Sequence, residues 1–289
     1  MSAEMIAHGA ELLDLSPADY HKDPCEVPSL SQSIAHTLIT KTPLHAWSEH
    51  PRLGNQKKKP SKPMTTGQIL HKMVLGKGAK LEVIEADNYR TKLAQEIRDR
   101  ALQEHRLPIL ASEHADLLAA LERIQANIRA YGIDLSGSSE VQIKWSEPGL
   151  NGPVQCRGML DHVIFERGTI YDVKKIRSAH PAAVGRSIIN YSYQIQWAAY
   201  TSALGALLTE FQGAVDFVFV FIEVEPPFAV YAARPNGMLR ELGAMQWRRA
   251  VETWEQCLAT DTWPGYANKI GVIEAPPWAI TDEMLSGED

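Results

Sequence analysis

The pattern of apolar and polar positions changes period near the middle of the chain. In the stretch 112–131, Leu117, Leu118, Leu121, Ile124 and Ile128 recur three or four residues apart and define one face of a helix. Gly132 follows where such a helix is commonly capped. The stretch 89–105 also reads as helical, and 65–75 predicts a helix with Leu70, Met73 and Val74 facing inward. Ser29-Leu30-Ser31-Gln32 and Thr42-Pro43 open two shorter helices, the second carrying Trp47. A short strand is expected at 81–84. Pro17, Pro24 and Pro28 break up residues 1–28, which read as irregular. Residues 51–63, with three prolines and four lysines, read as a loop.

From Glu140 onward the period becomes two. EVQIKW, VQCRGMLDHVIFE and TIYDVKK predict an antiparallel meander with short turns. Helices are expected at 181–189 and 192–208, strands at 215–224 and 228–232, and a long amphipathic helix at 238–258. Helices first, then a mixed sheet with helices packed on it, give an α/β or α+β domain. The expected organisation is one domain over 29–289, mainly helical over 29–135, with the sheet core and C-terminal helix over 136–289. No internal repeat is present.

The chemistry concentrates in two adjacent strands. Strand side chains alternate, so Asp172 and Lys174 point to one side and Val173 to the other. By the same alternation Asp161 shares its side with Met159, Val163 and Phe165. Two carboxylates and an ammonium are thus aimed at an apolar face, where uncompensated charge is costly. A divalent metal bound for chemistry on phosphate would compensate them, and hard oxygen donors select Mg²⁺ or Mn²⁺ over Zn²⁺. Gln196 and Tyr200 lie four apart on one helix face. His71 lies four residues after Gly67 on the 65–75 helix, and Glu140 opens the meander.

Composition narrows the classes. The chain has 289 residues, 45% apolar and 22% charged, ordinary values for a globular protein. A net charge of −6 argues against a generally basic nucleic-acid binder but leaves room for a local basic channel. Lys57, Lys58 and Lys59 form one basic run, and Lys174, Lys175, Arg177 and Arg186 a looser one. Cys25, Cys156 and Cys257 are scattered and odd in number, which suits a reducing cytoplasm and excludes a four-thiolate iron–sulfur site. No signal peptide is indicated, and the longest apolar run, 217–222, is too short to span a bilayer as a helix.

The ordered set G-x-x-x-H, E, G-x-x-D, D-V-K and Q-x-x-x-Y resembles the PD-(D/E)XK nuclease superfamily. It is similar in particular to the RecE (exonuclease VIII) branch of phage-derived recombination exonucleases. The pieces are Gly67 to His71, Glu140, Arg157-Gly158-Met159-Leu160-Asp161, Asp172-Val173-Lys174, and the segment from Tyr191 through Gln196 to Tyr200. The resemblance implies a restriction-endonuclease-like core with a central mixed sheet flanked by helices. It implies that Asp161 and Asp172 are metal ligands, that His71 is a further ligand to a second ion or shapes the site, and that Glu140 helps bind metal or positions water. It makes Lys174 the catalytic lysine, has Gln196 hold either that lysine or the substrate phosphate, and has Tyr200 support the same helix face. It further implies Mg²⁺-dependent 5′-to-3′ digestion of one strand of duplex DNA, with Mn²⁺ able to substitute. The expected assembly is a ring-shaped homo-oligomer, a tetramer ahead of a trimer. The expected partner is a RecT-type annealing protein, in the cytoplasm of a host carrying the phage or prophage. Two other readings remain: an endonuclease of the same superfamily, and a non-catalytic DNA-binding or assembly subunit. The intact Asp161, Asp172 and Lys174 set argues against the second. The chain departs from the family at Lys175, where a small hydroxyl residue is usual.

Overall fold

A computed structural model describes residues 9–54, 69–70, 73–76, 81–104, 106–267 and 269–275. Its strands are β1 (Glu11–Leu13), β2 (Leu30–Ser31), β3 (Leu81–Ile84), β4 (Leu107–Leu110), β5 (Ser138–Pro148), β6 (Pro153–Ile164), β7 (Thr169–Ile176), β8 (Asp216–Glu223) and β9 (Val230–Ala233). The helices are α1 (Pro17–Tyr20), α2 (Gln32–Thr40), α3 (Pro43–Glu49), α4 (Lys92–Gln103), α5 (Ala111–Ala130), α6 (Pro181–Asn190), α7 (Tyr193–Leu207) and α8 (Gly237–Thr260).

The main sheet runs in the order β1-β5-β6-β7-β8-β9, with β2 added to β6. The strands β5, β6 and β7 form the expected antiparallel meander. The chain then crosses over through α6 and α7, so that β8 lies parallel to β7 with Asp172 opposite Phe219. A parallel neighbour needs such a crossover, because a tight turn can only join antiparallel strands. The pair β3–β4 forms a separate two-stranded parallel sheet.

Period-two patterning sorts the side chains into two cores. Ile143, Trp145, Leu160, Ile170, Phe217, Phe219 and Phe221 face α2, α7 and α8. Tyr171, Val173, Val218, Val220 and Ile222 face Leu117, Ile124 and Ile128 of α5. The result is a mixed sheet between helical layers. Each fully buried Phe or Ile adds about 1.5–3 kcal/mol. The helix α7 is buried on nearly every side because α8 covers it. A side chain on Gly243 of α8 would start 2.2 Å from the Gln194 carbonyl oxygen, so this crossing requires glycine.

Helix starts follow the capping chemistry of the sequence. Ser31 Oγ accepts from the Ile34 amide of α2 at 3.4 Å, and Thr91 Oγ1 from the Ala94 amide of α4 at 3.2 Å. Of the 65–75 stretch, Ile69, Leu70, Met73 and Val74 are described and helical, with Leu70 and Val74 buried.

Two expectations need correction, and one strand has no counterpart among them. Residues 1–28, read as irregular, supply α1 and the edge strand β1, which pairs with β5. The strand β4 was not anticipated, because its four residues hold a proline and too few alternating positions to register as a strand. Strict alternation along β6 also fails. Leu160 and Val163 belong to the same core, so the strand changes phase at Asp161–His162.

The segment before β2 is fastened by a buried polar cluster. Asp23 Oδ1 accepts from Ser29 Oγ at 2.7 Å and Oδ2 from the Ser29 amide at 2.9 Å. His50 Nε2 lies 3.3 Å from Oδ2, and Arg157 lies 3.7 Å from Oδ1. His50 Nδ1 accepts from the Arg52 amide at 3.2 Å, which leaves the proton on Nε2. Burial acts to raise the Asp23 carboxyl, but the bonds from His50 and Ser29 and the Arg157 charge outweigh it and hold it at about 2. The described cysteines are free and buried. No helix among the described residues is long and apolar enough to cross a membrane.

Candidate active site

The site forms where two strands part. The pairing of β6 with β7 runs through Ile164–Thr169, Val163–Ile170 and His162–Tyr171. At the next position the ladder gives way, and Asp161 Oδ2 accepts the Val173 amide at 2.8 Å. A carboxylate side chain thus takes up a backbone donor at the point where the two strands part. The phase change at Asp161 and the opening of the sheet are one event.

Asp172, on β7 beside that opening, is completely buried. Lys174 reaches back along the same face and forms an ion pair with Asp172 Oδ1. Gln196 Nε2 of α7 donates to Asp172 Oδ2 at 2.6 Å. Burial pushes the Lys174 ammonium down, but the Asp172 and Asp161 charges more than restore it, so its affinity for the proton ends above that of a free lysine. Lys174 therefore stays a cation at neutral pH. It can steer and neutralise an anion, and it cannot serve as a base without losing that ion pair.

Tyr200 stands one turn beyond Gln196 and is buried against β6. A side chain on Gly158 would begin 2.9 Å from Tyr200 Cε1, so this glycine lets α7 approach the sheet. Burial drives the Tyr200 hydroxyl well above its ordinary range, with Tyr20, Asp172 and Asp161 adding to the effect, and a side-chain hydrogen bond with Gln196 opposing it. The tyrosine stays neutral.

Glu140 is half-buried and lies across from Asp161, between the paired positions Ser139–His162 and Val141–Leu160. Its φ of +51° is in the left-handed region, unusual for a residue other than glycine and costly unless its surroundings enforce it. His162 is held by Ser139 and Gly137, with burial lowering its affinity for a proton, so it is a neutral structural residue. His71 lies outside the described residues.

The structure thus brings Asp161, Asp172, Lys174, Gln196 and Tyr200 to one end of the β6–β7 opening, with Glu140 on the adjoining strand. Among the described residues no three His, Cys, Asp or Glu groups are gathered closely enough to hold a metal ion. The donor chemistry still fits a hard divalent cation, because the charged donors at the opening are carboxylate oxygens and the nearby imidazole of His162 is engaged on both nitrogens. Asp161 and Asp172 are the residues that would hold it.

Tyr193 belongs to the site and was not singled out in the sequence. The Lys174 ammonium lies 4.9 Å from the centre of its ring. The signal was available: Tyr193, Gln196 and Tyr200 recur at helical spacing on the inward face of α7. A cleft of about 480 Å³ opens beside Tyr193 and the end of β7. A larger cavity of about 720 Å³, lined by Trp197, Trp247 and Phe217 among others, contains none of the predicted site residues.

No curated protein matches the chain in sequence. In fold it is similar to a candidate exonuclease from Eubacterium rectale, with a TM-score of 0.57 and 12% identity, covering 95% of this chain and 99% of that one. A phage-related exonuclease from Haemophilus somnus 129PT shares 13% identity over 81% of this chain and 96% of that chain, with a TM-score of 0.35. At such identities the first likeness is one of fold. Residues 35–276 match the model of a PDDEXK-like domain of unknown function, DUF3799. The chain belongs to that PDDEXK-like family.

Proposed function

We propose that the protein is a Mg²⁺-dependent exodeoxyribonuclease that degrades one strand of linear duplex DNA from the 5′ end. It leaves a 3′ single-stranded tail for recombination. The observation that carries this reading is the fully buried Asp172, gripped by Lys174 and Gln196 beside the Asp161 opening. A core rarely buries a carboxylate unless it is paired, as Asp23 is, and what supports a chemical role for Asp172 is its place beside a second carboxylate and a lysine at the split of two strands.

A bound Mg²⁺ would acidify water and offset charge on the attacked phosphodiester, and Mn²⁺ would substitute. Asp161 and Asp172 would hold that ion on the floor of the opening. Lys174, kept protonated, would orient the attacking oxygen and balance the charge that builds on the phosphate. Gln196 fixes the Asp172 carboxylate from the helix side, and Tyr200 sets the depth of α7 against β6. Glu140 and His71 would assist at the metal.

The resemblance to RecE-type enzymes supports the polarity, a ring-shaped homo-oligomer and delivery of the strand to a RecT-type annealing protein. Linear duplexes labelled separately at each 5′ and 3′ end test the reading. In Mg²⁺ the 5′ label should be released first as mononucleotide, and EDTA should abolish release. Early release of the 3′ label would reverse the polarity, and release in EDTA would exclude the metal.

A further inference from the structure

A chain of aromatic contacts leads from the catalytic lysine to the surface. Lys174 lies over the Tyr193 ring, and Tyr193 stacks with Tyr191 at a centroid distance of 5.6 Å and an interplanar angle of 23°. Tyr191 is 61% exposed, so its outer face is open to solvent. Ser192 between them is buried and holds a left-handed φ of +53° at the junction of α6 and α7. That kink places both rings on one side of the chain, and a strained residue kept buried at such a place points to use.

The charge lining the cleft beside these rings is of one sign. The cleft of about 480 Å³ beside them is lined by Lys175, Arg177 and Arg186 together with Tyr191 and Tyr193, and no carboxylate residue lines it. Among the described residues none of these three cations is in an ion pair. In a protein of net charge −6, a cleft lined by three cations and no carboxylate stands out and attracts phosphate. Lys175, the point of departure from the family pattern, is one of the three.

We infer that this cleft binds an unpaired nucleotide of the DNA strand adjoining Lys174. The base stacks on Tyr191, and Lys175, Arg177 and Arg186 face the flanking phosphates. A base inside a duplex is covered on both faces, so an internal base must leave the stack to reach a tyrosine ring. The inference deepens the nuclease reading and rests on it for the identity of the strand.

The test is fluorescence anisotropy of a short labelled single-stranded DNA with the full chain in EDTA, where binding is read without turnover. Tyr191→Ala should weaken binding about tenfold or more, and Tyr191→Phe should bind like the parent. Arg186→Ala should lower the slope of log affinity against log salt by about 0.7. Equal binding by the parent and Tyr191→Ala would overturn the site, as would binding that depends on salt alone. The two readings fail separately. Tyr191-dependent binding by a protein that cuts no DNA in Mg²⁺ leaves the site and removes the nuclease. Cleavage with unchanged binding in Tyr191→Ala leaves the nuclease and removes the site.

Discussion

Gln196 on α7 donates its amide hydrogen to Asp172 on β7 across 2.6 Å, and that bond ties the helix layer to the charged residue of the sheet. Asp172 is fully buried, so removing the donor leaves a carboxylate oxygen with one partner fewer in a dry place. Gln196→Ala should cost about 1–3 kcal/mol of stability and reduce nuclease activity at least tenfold. Urea denaturation and digestion of labelled duplex check the two effects. An unchanged rate would show that Gln196 does not hold Asp172 for the reaction.

Lys174→Ala should abolish cleavage while leaving DNA binding largely intact. It also leaves Asp172 buried without its cation, and breaking a buried pair costs about 3–5 kcal/mol. Mg²⁺ should restore part of that loss by supplying the missing positive charge. Denaturation curves with Mg²⁺ and with EDTA measure this. A variant no less stable than the parent in EDTA would contradict the ion-pair account.

Gly158→Ala probes the approach of α7 to the sheet. The new methyl group would begin 2.9 Å from the Tyr200 ring, so the ring and the helix must give way. Overpacking of this kind costs about 1–3 kcal/mol and would carry Gln196 away from Asp172. Lower melting temperature together with lower activity is expected. Full activity at lower stability would show that the helix depth is not critical to catalysis.

Much of this site was legible because strand alternation is a rigid rule. It put Asp172 and Lys174 on one face and Val173 on the other, and the structure places Val173 in the core on the α5 side. Helical spacing likewise joined Gln196 to Tyr200. The break at Asp161 was not legible. A phase change depends on where two strands separate, and that is a property of the pairing rather than of either sequence. Tyr191 lies between two helices, where helical spacing says nothing about its side chain, and the left-handed Ser192 is what brings it onto Tyr193. The edge strand β1 escaped notice because three residues carry too little pattern, and its place is fixed by β5.

The Asp23 cluster predicts an acid limit on stability. Its folded pKa of about 2 lies below the unfolded value of about 3.9. The carboxylate therefore stabilises the fold fully above about 4, and this contribution is lost as pH falls through about 2. Asp23→Asn should be less stable than the parent at neutral pH, with the difference narrowing over that interval. Guanidinium denaturation across the range checks this, and a constant difference would mean that Asp23 is not the titrating group.

The nuclease assignment is tested most directly by digesting one plasmid in two forms, linearised and covalently closed, with Mg²⁺ or EDTA, using the parent and Lys174→Ala. The parent should degrade the linear form only, in Mg²⁺ only, and Lys174→Ala should degrade neither. Cleavage of the closed circle would make the enzyme an endonuclease, and an intact linear form with the parent in Mg²⁺ would contradict the assignment altogether.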